Sequence, residues 1–183
     1  PEVGGERLSM QGQVRDEAGK PVPGAKVEVW HCNLRGMYSI FDSSQPAFNL
    51  RRAIITDENG GYKFKSILPV GYSCPPGGAT DQLLTAIGRH GNRPAHIHFF
   101  VTAPGYRKLT TQINIEGDPL IWEDFAFASR EELVPHITRY SASEAKEKFN
   151  IDEPFASIDF DFEIHKEREG VFAAEIERTH GPR

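Results

Sequence analysis

The sequence predicts a mainly β fold: an antiparallel β-sandwich with long functional loops and a few short helices. Glycine and proline, 17 and 13 of the 183 residues, punctuate the chain at short intervals, which favours short strands over long helices. Several stretches between these turn signals alternate apolar and polar residues with the period of a half-buried strand. The length is that of one compact unit with a substantial core, so we expect a single domain over 1–183 with a polar tail at 167–183.

The elements can be placed in order from these patterns. A stretch from 157 to 166 shows the alternation clearly, because Ile158, Phe160, Phe162 and Ile164 are separated by polar residues. The only convincing helical stretch is 129–149, expected as two short pieces around Pro135, with a shorter helix near 81–87. The predicted strands are 8–15, 25–31, 51–57, 62–68, 96–103, 109–115 and 157–166.

Charge and composition exclude several classes of function. The 21 basic and 26 acidic residues give a formal charge of -5, with no block of basic residues, so we expect no nucleic-acid or membrane partner. No apolar run approaches the roughly 18 residues that a membrane-spanning helix needs. The two cysteines, Cys32 and Cys74, allow at most one disulfide and fit a reducing cytosol, which predicts a cytoplasmic protein.

The most specific short motif is RPAHIH at 93–98. On a strand, His96 and His98 would share one face with Cα atoms about 6.6 Å apart, a spacing that suits two imidazoles on one metal. Two polar residues on a solvated face would show the same spacing, so the pair alone does not decide between the two interpretations. Tyr38 follows the second predicted strand and Tyr72 lies in a loop rich in glycine and proline, where either could simply be a half-buried tyrosine. Neither cysteine has the paired spacing of a structural zinc site.

Longer stretches give the chain a resemblance to the intradiol ring-cleaving dioxygenase family. They are AKVEVWHCN at 25–33, FNLRR at 48–52, GYSCPP at 71–76, GRHGNRPAHIH at 88–98 and KLTTQIN at 108–114, and they follow the family's order. The resemblance implies one mononuclear non-haem Fe(III) per chain, held by Tyr38, Tyr72, His96 and His98. It also implies cleavage of catechol by O2 between its two hydroxylated carbons, which yields cis,cis-muconate.

The resemblance implies roles for further residues. Tyr72 would take a proton from the substrate, and Gln112 would be a polar contact to it. Arg93, three residues before His96, would stabilise the negative charge that develops on the ring, a task that suits a fixed cation in a low-dielectric pocket. Phe125 and Ala126 would line the substrate pocket. Two tyrosine phenolates are hard, strongly donating anions, which explains why such a ligand set favours ferric iron.

Two alternatives stay open. Within the family, the substrate could be a chlorocatechol or hydroxyquinol, although GYSCPP and HGNR look more like the catechol type. From a different class, the first thirty residues also resemble transthyretin-like β-sandwiches, often metal-free binding modules, which have no need of the four candidate ligands together.

The family usually forms a homodimer through a helical N-terminal region that also contributes apolar residues over the substrate pocket. The resemblance therefore implies a homodimer. The sequence, however, begins almost at its first predicted strand, and we find no counterpart of the usual dimer-forming region in it. We expect either a fragment of a longer protein or a more open pocket.

Overall fold

The computed structural model describes residues 4–167, so the predicted polar tail lies, apart from Glu167, outside the described residues. Two helices, α1 (Ala79–Ala86) and α2 (Ala142–Phe149), and two short 3-10 helices, Ile121–Glu123 and Glu131–Leu133, accompany the strands in this range. The strands are β1 (Arg7–Asp16), β2 (Lys26–Trp30), β3 (Arg51–Ile55), β4 (Gly61–Ile67), β5 (Tyr72–Ser73), β6 (Asn92–Arg93), β7 (His96–Thr102), β8 (Leu109–Asn114), β9 (Thr138–Tyr140), β10 (Phe155–Asp159) and β11 (Phe162–Ile164).

Two sheets form the sandwich, which confirms the predicted mainly β fold. The first is antiparallel throughout, in the order β3-β2-β7-β8. The second is built around β1, which pairs antiparallel with β4 on one edge and parallel with β10 and then β11 on the other. The antiparallel prediction therefore holds for most strand pairs but not for β1 with β10 and β11. A separate two-stranded ladder joins β5 to β6.

The core lies between the inner faces of the two sheets. Phe99 of β7 contacts Phe162 of β11 with ring centroids 4.9 Å apart, and Phe64 of β4 lies 6.4 Å from Phe99. Ile97, Phe99 and Val101 of β7 are all fully buried. Their alternation with His96 and His98 turns the two histidines to the opposite face of the sheet, as the pleat of a strand requires.

The helical prediction for 129–149 is wrong in its middle part. Glu131–Leu133 is a 3-10 turn and Ala142–Phe149 is a helix, but Thr138–Tyr140 is a strand that pairs with β10. Pro135 ends the first piece because it cannot continue a helical ladder. The second helix is preceded by Ser141, whose side chain accepts from the Glu144 amide while the Glu144 carboxylate accepts from the Ser141 amide, a capping box.

The stretch 157–166, predicted as one strand, is divided at Phe160 and Asp161 into β10 and β11. The Phe160 amide donates to the carbonyl of Gln11 at 2.9 Å, and the Tyr62 hydroxyl donates to the Phe160 carbonyl oxygen at 2.6 Å. That carbonyl lies directly over Gly12, where a Cβ atom would be 1.8 Å from the oxygen. The break therefore depends on the missing side chain at Gly12.

We expect Gly12→Ala to lower the free energy of unfolding by about 3 kcal/mol, because the new methyl group and the Phe160 carbonyl cannot occupy the same space. Urea unfolding would measure this loss. Ser9→Ala, on the same strand, is the control and should change stability by less than about 1 kcal/mol. Equal stability of the two variants would show that the chain can relax at the break without cost.

No helix within residues 4–167 combines the length and the apolar character that a membrane span requires.

Candidate metal centre and active site

His96 and His98 lie on β7 and point their Nε2 atoms at one another, 3.1 Å apart. The His96 ring is held by its other nitrogen, since Nδ1 donates to the carbonyl oxygen of Pro94 at 2.7 Å. This bond places the proton on Nδ1 and leaves a lone pair on Nε2. The His98 ring stacks on Trp30 of β2, with centroids 5.0 Å apart and planes 10° from parallel. Both rings are therefore oriented before any ligand binds.

Tyr38 reaches the histidines from the loop between β2 and β3. The Asn33 side-chain oxygen accepts hydrogen bonds from the amides of Arg35 and Met37, at 2.9 and 3.0 Å, and so closes a tight turn just before Tyr38. Gly36 in this turn has a φ of +74° and its Cβ position lies 2.9 Å from Cβ of Tyr72. A larger residue at this position would push the two tyrosine-bearing loops apart.

Tyr72 comes from the short ladder of β5 and β6, where it is paired directly with Arg93. Its ring packs edge-on against the ring of Tyr38 at a centroid distance of 5.4 Å. The ladder thus brings the predicted catalytic arginine and the predicted catalytic tyrosine side by side, although they are far apart in sequence.

The four candidate ligands meet at one place. The Tyr72 hydroxyl is 3.5 Å from His96 Nε2, and the Tyr38 hydroxyl is 3.2 Å from His98 Nε2. With the 3.1 Å between the two imidazole nitrogens, the oxygen and nitrogen donors form a continuous cluster. Two nitrogen and two oxygen donors from separate elements are a suitable set for a single metal ion.

The protonation of the histidines fits metal binding. Burial, and then the charge of Arg93, lowers the pKa of His96 to about 4. Burial, His96 and Arg93, in that order, lower the pKa of His98 to about 3. Both imidazoles are neutral at pH 7 and can each offer a lone pair.

The tyrosines would supply the negative charge. Burial and the neighbouring Tyr72 raise the pKa of Tyr38 far above its ordinary value, so the Tyr38 phenol keeps its proton unless a cation stabilises the phenolate. Across residues 4–167, no three His, Cys, Asp or Glu side chains come together as a metal site. The donors that meet here are two imidazoles and two phenols. Once deprotonated, the phenolate oxygens are hard anions that match a trivalent hard cation such as Fe(III).

Arg93 lies at the edge of the cluster and is 8% exposed. Its Nη1 is 3.1 Å from His96 Nε2 and 3.4 Å from the Tyr72 hydroxyl. Burial by itself lowers the pKa of Arg93, but hydrogen bonds to Asp124 and Tyr72 raise it above the ordinary value, so the guanidinium is charged. The site therefore has a fixed cation beside two of its candidate ligands.

Of the predicted substrate contacts besides Arg93, Gln112 is hydrogen-bonded to that arginine, whereas Phe125 and Ala126 lie in a loop and have no contact with the four candidate ligands among the hydrogen bonds and ring contacts of residues 4–167. The Gln112 side-chain oxygen accepts from Arg93 Nη2 at 2.9 Å, and its amide nitrogen donates to Asn114 at 3.3 Å. Phe125 is half-buried and Ala126 is exposed, in the loop that follows the 3-10 helix Ile121–Glu123. Their place in a substrate pocket stays a prediction.

Sequence reasoning missed Asp124, which forms a two-point ion pair with Arg93 at 3.1 and 3.0 Å and is 3% exposed. Asp124 stands in an aromatic segment with Trp122, Phe125 and Phe127, whose pattern by itself indicates packing. An acidic residue between aromatic ones was the available signal, but nothing in the sequence pairs it with an arginine 31 positions earlier.

A cavity of about 660 Å³ elsewhere in the sandwich is lined by residues such as Leu8, Val29 and Phe64. None of the predicted site residues lines it. Cys32 and Cys74 are both buried and form no disulfide with each other, and the Cys32 thiol donates to the carbonyl of Val70 at 3.2 Å.

A family model described as a dioxygenase matches residues 2–166 of the chain. The chain belongs to this family, that of the intradiol dioxygenases. A match of this extent excludes the transthyretin-like binding module that the first thirty residues allowed.

The proteins to which the chain is similar include several catechol 1,2-dioxygenases. Catechol 1,2-dioxygenase from Acinetobacter baylyi is 52% identical over 176 residues, which is 95% of this chain and 57% of that protein. The crystal structure of catechol 1,2-dioxygenase from Acinetobacter radioresistens has a TM-score of 0.87 and 52% identity, covering 96% of this chain and 57% of that chain. Chlorocatechol 1,2-dioxygenase from Rhodococcus opacus is 41% identical over 86% of this chain and 59% of that protein. The chain thus spans somewhat more than half the length of these relatives.

Proposed function

We propose that this chain carries the catalytic site of an intradiol dioxygenase, which cleaves catechol with O2 between its two hydroxylated carbons to give cis,cis-muconate. The convergence of Tyr72, His96, His98 and Tyr38, through donor-atom distances of 3.5, 3.1 and 3.2 Å, is the observation that carries this proposal. A structural role alone would not need two neutral imidazoles and two phenols with their polar atoms turned toward one another.

The four side chains would hold one Fe(III) per chain. Bound there, Fe(III) would supply Lewis acidity toward a chelating diol and so activate the bound catecholate for attack by O2. His96 and His98 would contribute neutral donors, and Tyr38 and Tyr72 would contribute two negative charges that offset most of the ion's charge. A site with little net charge is compatible with partial burial.

Catechol carries two hydroxyl protons that must leave before it can act as a chelating dianion. Tyr72 would take one of them on its phenolic oxygen, which is 3.4 Å from Arg93 Nη1 and 3.5 Å from His96 Nε2, and a hydroxide ion at the site would take the other and leave as water. The hydrogen bond from Arg93 would keep that phenol in position once it is protonated. Tyr72 is therefore the residue to which we assign proton transfer.

Arg93 would stabilise negative charge on the substrate ring. Its guanidinium is buried, charged and held by Asp124, so its N–H donors need not reorient when negative charge develops nearby. Gln112, bonded to the same guanidinium, would complete the polar side of the substrate site. Phe125 and Ala126 follow Asp124 in the chain and would provide its apolar lining.

Catechol is favoured over the alternative substrates by sequence. The catechol dioxygenase from Acinetobacter baylyi is 52% identical to this chain, whereas the chlorocatechol enzyme from Rhodococcus opacus is 41% identical. The stretches GYSCPP and HGNR, which carry Tyr72 and Arg93, also look more like the catechol type.

Oxygen uptake with catechol, 4-chlorocatechol and hydroxyquinol tests the proposal. We expect the iron-loaded protein to be wine-red, through charge transfer from phenolate to Fe(III), and its absorption band to shift when catechol is added. It should consume one O2 per catechol, with both labelled oxygen atoms appearing in the muconate, and should use catechol fastest. A colourless protein without stoichiometric iron, or one that takes up no O2 with any of the three diols, would overturn the proposal.

A further inference from the structure

We propose that Asp124 is a positioning residue, which rests on the function proposed above: it holds Arg93 so that only Nη1 faces the cluster of candidate ligands. The carboxylate itself touches neither the histidines nor the tyrosines through any hydrogen bond seen among residues 4–167, so it acts through the arginine.

The hydrogen bonds of the guanidinium account for this geometry. A guanidinium has five N–H donors: one on Nε and two on each terminal nitrogen. Asp124 accepts from Nε at 3.1 Å and from Nη2 at 3.0 Å, and Gln112 accepts from Nη2 at 2.9 Å. These bonds use the three N–H groups on one side. The two that remain, on Nη1, face the Tyr72 hydroxyl and His96 Nε2.

Asp124 is itself fixed in place. Its two carboxylate oxygens accept from the amides of Ala126 and Ala128, at 3.1 and 3.4 Å. The same carboxylate thus links the orientation of Arg93 to the loop that contains Phe125 and Ala126. A change in that loop would be transmitted to the cation, and a displaced cation would no longer match the charge that develops on the ring.

Asp124→Asn removes the negative charge at this position while it nearly keeps the shape of the side chain. The new amide has nearly the same size as the carboxylate, but offers one oxygen acceptor, and its NH2 group opposes the N–H donors of Arg93. The guanidinium would then lose one of the two bonds that fix its plane. The Gln112 contact alone would allow Arg93 to rotate, and Nη1 would spend less time facing the cluster.

A double-mutant cycle between Asp124→Asn and Arg93→Ala tests the inference. We expect Asp124→Asn to retain iron and colour, to lower kcat by about 10- to 100-fold and to change KM much less. In the Arg93→Ala background, the same substitution should change kcat by less than about threefold, because the residue through which Asp124 acts is gone. Equal effects of Asp124→Asn in both backgrounds would overturn the inference, since a purely structural role in the loop does not depend on Arg93.

Urea unfolding of the metal-free proteins provides a second test that does not depend on activity. In the metal-free proteins, Arg93→Ala leaves the buried carboxylate of Asp124 without its cation, so the urea midpoint of the double variant should be no lower than that of Arg93→Ala alone. Strictly additive losses would again contradict a direct coupling. If Asp124→Asn does not fold, Asp124→Glu enters the same cycle, and we expect it to lower kcat only where Arg93 is present.

Asp16→Asn is the matched control. Asp16 is also a buried carboxylate, 4% exposed, but it accepts from the amides of Ala18 and Lys20 in the turn after β1. Asp16→Asn should leave kcat unchanged.

The experiments separate the two proposals. If the unmodified iron-loaded protein takes up no O2 with catechol, the proposed function fails, while the urea cycle still decides whether Asp124 and Arg93 are coupled. If it is active and Asp124→Asn has no effect on kcat, only the inference about Asp124 fails.

Discussion

His98→Ala is expected to lose bound iron and to lower activity by well over about a hundredfold. The His98 Nε2 lies between His96 Nε2 at 3.1 Å and the Tyr38 hydroxyl at 3.2 Å, so its removal opens a gap in the middle of the donor cluster. Loss of a group that only orients a metal ligand costs about 10- to 100-fold, and loss of the ligand itself should cost more. Iron content per chain, the visible absorption band and O2 uptake measure the effect.

His96→Ala should behave in the same way, because its Nε2 is the other nitrogen donor. The control is His165→Ala, which removes an exposed histidine that follows β11 and lies beside Glu17 and Glu163. This variant should keep iron, colour and activity. Full iron content and full activity in either His96→Ala or His98→Ala would remove that histidine from the proposed metal site.

Arg93→Ala is expected to keep iron and colour but to slow turnover by at least about a hundredfold. Its guanidinium is no ligand in the proposed site, yet this charged group lies beside Tyr72 and His96, at 3.4 and 3.1 Å. Loss of one preorganised electrostatic donor costs about 10²- to 10³-fold in kcat. Steady-state O2 uptake with catechol, beside iron content and the absorption spectrum, separates slow turnover from loss of metal.

Arg139→Ala is the control for this change, since Arg139 is exposed and pairs with Glu6 at 2.9 Å. It should leave kcat and iron content as they are. An unchanged kcat in Arg93→Ala would assign Arg93 to a structural ion pair with Asp124 alone. Loss of iron in that variant would show instead that the arginine helps to build the metal site.

Much of the fold could be predicted because strand patterns are local. The predicted strands 8–15, 51–57 and 96–103 correspond to β1, β3 and β7 with shifts of one or two residues at their ends. The alternation along β7 also predicted that His96 and His98 share a face, and the 3.1 Å between their Nε2 atoms confirms it. These results follow from the two-residue period of the pleat, which acts within a few residues.

Contacts between distant parts of the chain set the strand boundaries that local residue patterns could not predict. The stretch 157–166 alternates evenly, but the approach of the Phe160 carbonyl to Gly12 breaks it into two strands that lie parallel to β1. Thr138–Tyr140 is a strand because β10 offers it an edge, although its surroundings are helical in pattern. Local periodicity contains no information about such partners.

The sequence by itself indicated the family, through its resemblance to family stretches along the chain. It also predicted the sandwich and which histidines share a face, because these depend on residue types at short spacing. The resemblance implied that two tyrosines join those histidines, but only the tertiary structure decided how the two loops reach them. Gly36 allows the loops to approach closely, and Asp124 pairs with Arg93. The physical reason is that a hydrogen bond or ion pair between residues tens of positions apart depends on how loops close over a sheet, and neither partner marks the other in the sequence.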